Sequence, residues 1–268
     1  MTQPDLTGLP PITEQPPSDI TMFFAELEWL IGDAIRNHPR SRQKKLGPSE
    51  IGVPCARRLG YKLTDTLPVN ERDTAWKPTV GTAVHTWLES AFKRANRILD
   101  PDNPRFLLEH RVEVGETGGQ TIDGSCDLFD RVTRTVVDWK IVGVGALRKY
   151  ASNGPGEQYR TQAHAYGRGW QRRGLTPRYV AIYFLPQNGE LTDAYVWHEP
   201  YDETIAVKAL ERLDGITTLV SDLQSAALPL LPTADAWCVY CPWFMPASTV
   251  ITEACPGHPG AVTQHRQT

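Results

Sequence analysis

Gly124-Ser125-Cys126-Asp127-Leu128-Phe129-Asp130-Arg131-Val132, then Thr133-Arg134-Thr135, then Val136-Val137-Asp138-Trp139-Lys140-Ile141-Val142, reads as a strand, a turn and a returning strand. Side chains alternate along a strand, so Asp138 and Lys140 share one face of the second strand while Val137, Trp139 and Ile141 share the other. Pairing of the two strands sets Asp127 across from Asp138. Two carboxylates and an ammonium on one face are costly to bury unless they are paired or bound to a metal, and a divalent ion meets that need. Glu109, Glu113 and Asp123 lie close upstream. Of these, Glu113 and then Glu109 are further candidate oxygen donors.

Outward from this hairpin, the texture from Phe106 to Val142 is β: 106–114, 120–132 and 135–142 form a three-strand meander with Gly-containing turns. A Gly-rich loop follows, then a helix from Glu157 to Arg173. Strands Arg178–Leu185 and Leu191–Trp197, around the Asn188-Gly189 turn signal, extend the same sheet. A helix from Asp202 to Gln224 leads to a Pro- and Trp-rich tail containing Cys238, Cys241 and Cys255.

Upstream, a helix over Pro78–Ile98 repeats Gly81, His85 and Glu89 every four residues, which puts His85 and Glu89 on one face. Ser49 is read as the cap of a helix running through Cys55 to Tyr61. Residues Asp19–Asn37 carry Phe23, Leu27, Leu30, Ile31, Ala34 and Ile35 at helical spacing, with Ser18 as the cap. Residues 1–17 are Pro-rich and read as a disordered arm. The expected organisation is that arm followed by one domain, 18–268, whose N-terminal helical region, 18–77, meets a C-terminal tail, 225–268.

The chain has 268 residues, 40% of them hydrophobic, enough for a sizeable core. Its net charge of -3 excludes a histone-like or tail-type nucleic-acid binder and leaves room for local basic patches. There is no apolar run of about 18 residues, and the Pro-rich start lacks the pattern of a signal peptide, so no membrane is expected and the cytoplasm is the expected location.

Asp-x-Lys alone arises by chance about once in every chain or two of this size. Here it has company: Gly81-Thr-Ala-Val-His85 precedes it on a helix, and Gln162-Ala-His-Ala-Tyr166 follows it on another. The ordered set Gly-x-x-x-His, Gly124-x-x-Asp127, Asp138-x-Lys140 and Gln-x-x-x-Tyr resembles the RecB-like nucleases of the PD-(D/E)XK superfamily. Over roughly residues 47–256, with Cys55, Cys238, Cys241 and Cys255, the resemblance is closest to the CRISPR-associated and phage iron-sulfur exonuclease branch. One departure concerns the last two cysteines, which lie a few residues apart in that branch, whereas Cys241 and Cys255 are well separated here.

The resemblance implies an α/β fold, with a mixed central sheet flanked by helices in a restriction-endonuclease-like core and a four-cysteine metal-cluster cap. It implies a divalent-metal-dependent exonuclease acting on DNA, at single-stranded ends, in recombination, repair or spacer processing. A helicase, recombinase or integrase would be the protein partner. Asp127, Asp138, Lys140, Gln162 and Tyr166 would be catalytic, and His85, Asp127, Asp138 and the Trp139 carbonyl would hold magnesium or manganese. Cys55, Cys238, Cys241 and Cys255 would hold a 4Fe-4S cluster, with zinc as the alternative and His258 as a substitute ligand.

Arg57, Arg58, Arg160 and Arg168 are the expected DNA contacts, and Tyr61, Tyr159 and Trp170 offer stacking surfaces. Cys126, the spare cysteine, is expected to be a buried thiol and Glu89 a surface ion-pair residue. Two rival readings stand beside the exonuclease: a catalytically silent DNA-binding or partner-docking module, and a structure-selective endonuclease.

Overall fold

Alternating apolar residues in the central strands demand cover on two faces, and two separate apolar clusters supply it. The computed structural model describes residues 20–37, 45–70, 76–235 and 237–260. The chain divides into two units, Met1–Gln43 and Lys44–Thr268. The first contributes helix α1 (Ile20–Arg36), on which Phe23, Leu27, Leu30 and Ile31 are exposed. The expected arm over 1–17 and the Ser18 cap lie outside the described residues.

In the second unit, α2 (Pro48–Ile51), α3 (Ala56–Leu63) and α4 (Trp76–Leu99) precede β1 (Phe106–Thr117), β2 (Gln120–Asp130) and β3 (Thr135–Val142). Helices α5 (Val144–Asn153) and α6 (Gly156–Arg172) then cross to β4 (Tyr179–Pro186), which is followed by β5 (Tyr195–Pro200) and α7 (Glu203–Leu223). The five strands form one mixed sheet in the order β1-β2-β3-β4-β5. Its pairs are antiparallel except β3 and β4, which run parallel and so need the crossover that α5 and α6 provide.

Val136, Val180, Ile182 and Phe184 point to one face, into the main core with Ala163, Ala165, Trp170 of α6 and Leu213 of α7. Trp139, Leu128 and Leu185 point to the other, where Val84, Leu88 and Phe92 of α4 cover them. The sheet therefore lies between α6 and α4. Phe92 stacks on Trp139 with centroids 5.6 Å apart.

Three readings of local structure are corrected. The helix expected from Ser49 to Tyr61 is two helices, because Pro54 removes a donor and drives Val53 out of helical conformation; Gly47 rather than Ser49 caps the first, and Cys55 caps the second. The Gly-rich loop after β3 is mostly helix α5, anchored through buried Leu147. Leu191–Asp193, expected to open the last strand, is a 3-10 turn.

Region 45–70 is joined to the tail by direct bonds. Trp243 Nε1 donates to the Thr66 carbonyl at 2.8 Å, Asn70 Nδ2 to those of Val239 and Cys241, and the Tyr61 hydroxyl to that of Ile251. Tyr61 also stacks on Trp243 at 5.5 Å. Among the described residues no helix is long and apolar enough to cross a membrane.

Candidate active site

The β2–β3 ladder runs from Asp130↔Thr135 to Leu128↔Val137 and stops one residue short of the two aspartates. There the strands part, and the Trp139 backbone N–H donates to Asp127 Oδ2 at 2.7 Å. Asp127 and Asp138 are both buried, at 7% and 2% exposure. Trp139 thus enters the site through its N–H, while its indole lies in the α4-covered core.

Asp138 has three attendants. Lys140 Nζ lies 2.5 Å from its Oδ2, Gln162 Nε2 of α6 donates to its Oδ1 at 3.1 Å, and Tyr166 is buried nearby on the same helix. Lys140 also sits over the Tyr159 ring, 4.8 Å from its centroid. Burial pushes the Asp138 carboxyl up to about 6; Lys140 opposes that rise and the Asp127 charge adds to it. Burial, with the Asp138 and Asp127 charges, drives the Tyr166 hydroxyl well above its ordinary value, so it stays protonated at neutral pH.

From the opposite layer, α4 brings His85 Nδ1 to 3.3 Å from Asp127 Oδ1. Burial alone would lower the imidazole pKa, but the Asp127 and Asp138 carboxylates outweigh it and hold the ring above its ordinary value. The structure thus brings His85, Asp127, Asp138, Lys140, Gln162 and Tyr166 together from two helices and one hairpin.

The two motif glycines differ. A Cβ on Gly124 would meet Pro48 Cδ at 2.9 Å and the Tyr166 hydroxyl at 3.4 Å, so the bare backbone lets α2 and α6 close over β2. A Cβ on Gly81 would meet nothing within 4 Å.

Upstream carboxylates separate in the opposite order to the sequence ranking. Glu113, ranked first, pairs with Arg172 at 2.5 Å, and Asp123 pairs with Arg111. Glu109 instead lies with His85 and Asp127, the ligand atoms of the three all within 4.8 Å of one another. Sequence alternation placed Glu109 and Glu113 on one strand face and could not separate them.

Arg57 donates to the Leu228 and Pro229 carbonyls, Arg160 pairs with Glu199 at 2.6 Å, and Arg168 binds Glu203 and the Val114 carbonyl. Tyr61 and Trp170 are fully buried, which corrects their reading as stacking surfaces: both fill core beside Trp243 and Phe129. Glu89 pairs with Lys93 at 2.6 Å, and Cys126 is a fully buried thiol. Cys55, Cys238, Cys241 and Cys255 line a single cavity, with Arg58, Tyr61 and His258 also in its wall.

No protein-family model matches the chain, and no curated protein matches it. Among solved structures it is similar to SSO0001, at 18% identity over 84% of this chain and 95% of that one, with a TM-score of 0.47. It is similar to an alkaline exonuclease (LHK-Exo) from Laribacter hongkongensis, at 8% identity over 68% of this chain and 91% of that one, with a TM-score of 0.41. A phage-related exonuclease from Haemophilus somnus 129PT is 15% identical over 53% of this chain and 73% of that one, with a TM-score of 0.35.

Proposed function

We propose that the chain is a divalent-metal-dependent deoxyribonuclease of the PD-(D/E)XK type that degrades DNA from single-stranded ends. The observation that carries this reading is the convergence of Asp127, Asp138, Lys140 and His85, with Asp138 buried at 2% exposure against Lys140 at 2.5 Å. Desolvated carboxylates crowded this closely fit a hard cation. The donor set is oxygen with one imidazole nitrogen, which suits manganese as well as magnesium. His85 Nδ1 adds a buried polar atom with no hydrogen-bond partner among the described residues.

His85, Asp127 and Asp138 would hold the ion, with the Trp139 carbonyl as a further donor. Bound there, a divalent cation would lower the pKa of a bound water and supply charge compensation at the phosphate. Phosphodiester hydrolysis adds water across a P–O bond, with negative charge building on the phosphate oxygens. Lys140, fixed between Asp138 and the Tyr159 ring, sets a compact positive charge beside those oxygens. Gln162 holds Asp138 in position through Oδ1, and the protonated Tyr166 hydroxyl is a hydrogen-bond donor at the same wall.

The same reading assigns a 4Fe-4S cluster to Cys55, Cys238, Cys241 and Cys255. All four line one cavity, which supports a shared ligand. Tetrahedral zinc, with Zn–S near 2.3 Å, sets its sulfurs about 3.8 Å apart. Such an ion and a 4Fe-4S cluster both take four thiolates, and the cluster is preferred here for the order of motifs that the cysteines bracket. Its role is structural, tying region 45–70 to the tail. A broad visible absorption band and iron, with no zinc, in anaerobically purified protein are expected; zinc in its place would overturn the assignment.

The nuclease is tested by degradation of end-labelled linear single-stranded DNA with magnesium, manganese or chelator, alongside Asp138→Ala and Lys140→Ala. Metal-dependent loss of substrate that both variants abolish is expected. Inertness of the wild type with both metals would sink the reading. Cleavage of circular single-stranded DNA would instead identify an endonuclease.

A further inference from the structure

We propose that Glu109 is a ligand to the divalent cation, completing with His85 and Asp127 a three-donor wall on the α4 side of the site. The inference rests on the metal-dependent reading above and adds a residue that the hairpin motif does not contain. A protein-bound cation sits about 2.0–2.6 Å from its donors, so donor atoms of one ion lie roughly 3–5 Å apart. One ligand atom from each of Glu109, His85 and Asp127 meets that spacing, all three falling within 4.8 Å.

The uncommitted valences point the same way. Asp138 Oδ1 takes the Gln162 amide, and its Oδ2, which makes no hydrogen bond among the described residues, sits against the Lys140 ammonium at 2.5 Å. Asp127 is more than nine-tenths buried and its Oδ2 takes the Trp139 N–H, which leaves Oδ1 turned toward His85 at 3.3 Å. The facing nitrogen, His85 Nδ1, is sealed from solvent and makes no hydrogen bond among the described residues. A buried imidazole nitrogen and a buried carboxylate oxygen thus open on one spot, and Glu109 is the third group there.

Its backbone is built for that position. Glu109 stands in β1 between Leu108, which faces Leu128, and His110, which faces Cys126, and its φ is 49°, in the left-handed region. A non-glycine residue held there is strained, and backbone strain of this kind clusters at ligand-binding and active sites. Glu113, four residues on, pairs with Asp123 at the edge of the register shift between Glu113 and Gly115, and its carboxylate turns to Arg172.

The test is Mn2+ binding to the full chain, read by electron paramagnetic resonance and calorimetry, for wild type, Glu109→Gln and Glu113→Gln. Folding of each is checked by melting temperature in chelator. Both substitutions are isosteric and sit at partly exposed positions. Glu109→Gln is expected to melt like the wild type in chelator and to bind Mn2+ at least tenfold more weakly, with Glu113→Gln unchanged. Wild-type affinity in Glu109→Gln, or equal weakening in both variants, would overturn the assignment of Glu109 while leaving the metal-dependent reading intact. Absence of Mn2+ binding in the wild type would remove both.

Discussion

Trp139 N–H donates to the Asp127 carboxylate at 2.7 Å at the point where the β2–β3 ladder ends. One aspartate oxygen therefore stands in for a backbone acceptor while the other faces the site. Asp127→Ala removes both roles and leaves a buried N–H unsatisfied, at a cost of about 1–3 kcal/mol. Asp127→Asn keeps an acceptor and relieves repulsion with Asp138, so it should unfold near the wild-type urea midpoint yet lack nuclease activity. Equal loss of stability in both variants would show that the charge, not the acceptor, holds the strands.

Lys140 is the cation closest to Asp138. In Lys140→Met the buried carboxylate loses its ion pair, and its pKa, already about 6 in the wild type, should rise further. Carbon-detected titration of labelled aspartate measures this directly. An unchanged or lower value would mean that Lys140 does not hold Asp138 ionised.

Two glycines of the sequence motif should respond in opposite ways. Gly124→Ala forces a methyl against Pro48 and the Tyr166 hydroxyl and is expected to destabilise by about 1–3 kcal/mol, with loss of activity as α6 is pushed off β2. Gly81→Ala, in mid-α4 with open space around it, should stabilise by roughly 0.5–1 kcal/mol. Denaturant midpoints decide both; a neutral Gly124→Ala would contradict the close approach.

On the far side of α6, fully buried His164 lies 2.6 Å from Glu199 and accepts the Asp202 N–H at 3.1 Å. Burial holds its pKa below the ordinary 6.5, although Glu199 pulls the other way. The unfolded chain then binds the extra proton, so this contribution is present above pH 6.5 and lost as pH falls below it. Glu199, itself held below 4.5 against its burial by Arg160 and His164, adds a second loss at lower pH. Melting temperature should fall from pH 7 to pH 5, and His164→Gln should flatten that slope while costing about 1–3 kcal/mol at pH 7. A wild-type slope in His164→Gln would place the titrating group elsewhere.

Much of this site was legible because strand and helix periods are strict. Alternation put Asp138 beside Lys140 and Trp139 opposite them, and four-residue spacing put Gln162 over Tyr166. What stayed hidden depends on contacts distant in sequence. Nothing near Arg160 announces Glu199, 39 residues away, as its partner. The left-handed backbone of Glu109 is a local departure inside β1 that alternation does not show, so nothing in the strand period separated it from Glu113. Helix α5 was masked by its glycines, although Leu147 gives it a buried anchor.

Because α4 lies over one face of the sheet and α6 over the other, His85 and Gln162 belong to layers with separate apolar clusters. Neither layer alone assembles the site: a chain with only α6 docked sets Gln162 beside Asp138 but has no imidazole, and one with only α4 docked has the imidazole but no Gln162. Catalytic competence is thereby cooperative with the last packing event in folding. On the proposed function, a nascent or half-melted chain carries the residues of the site without its activity.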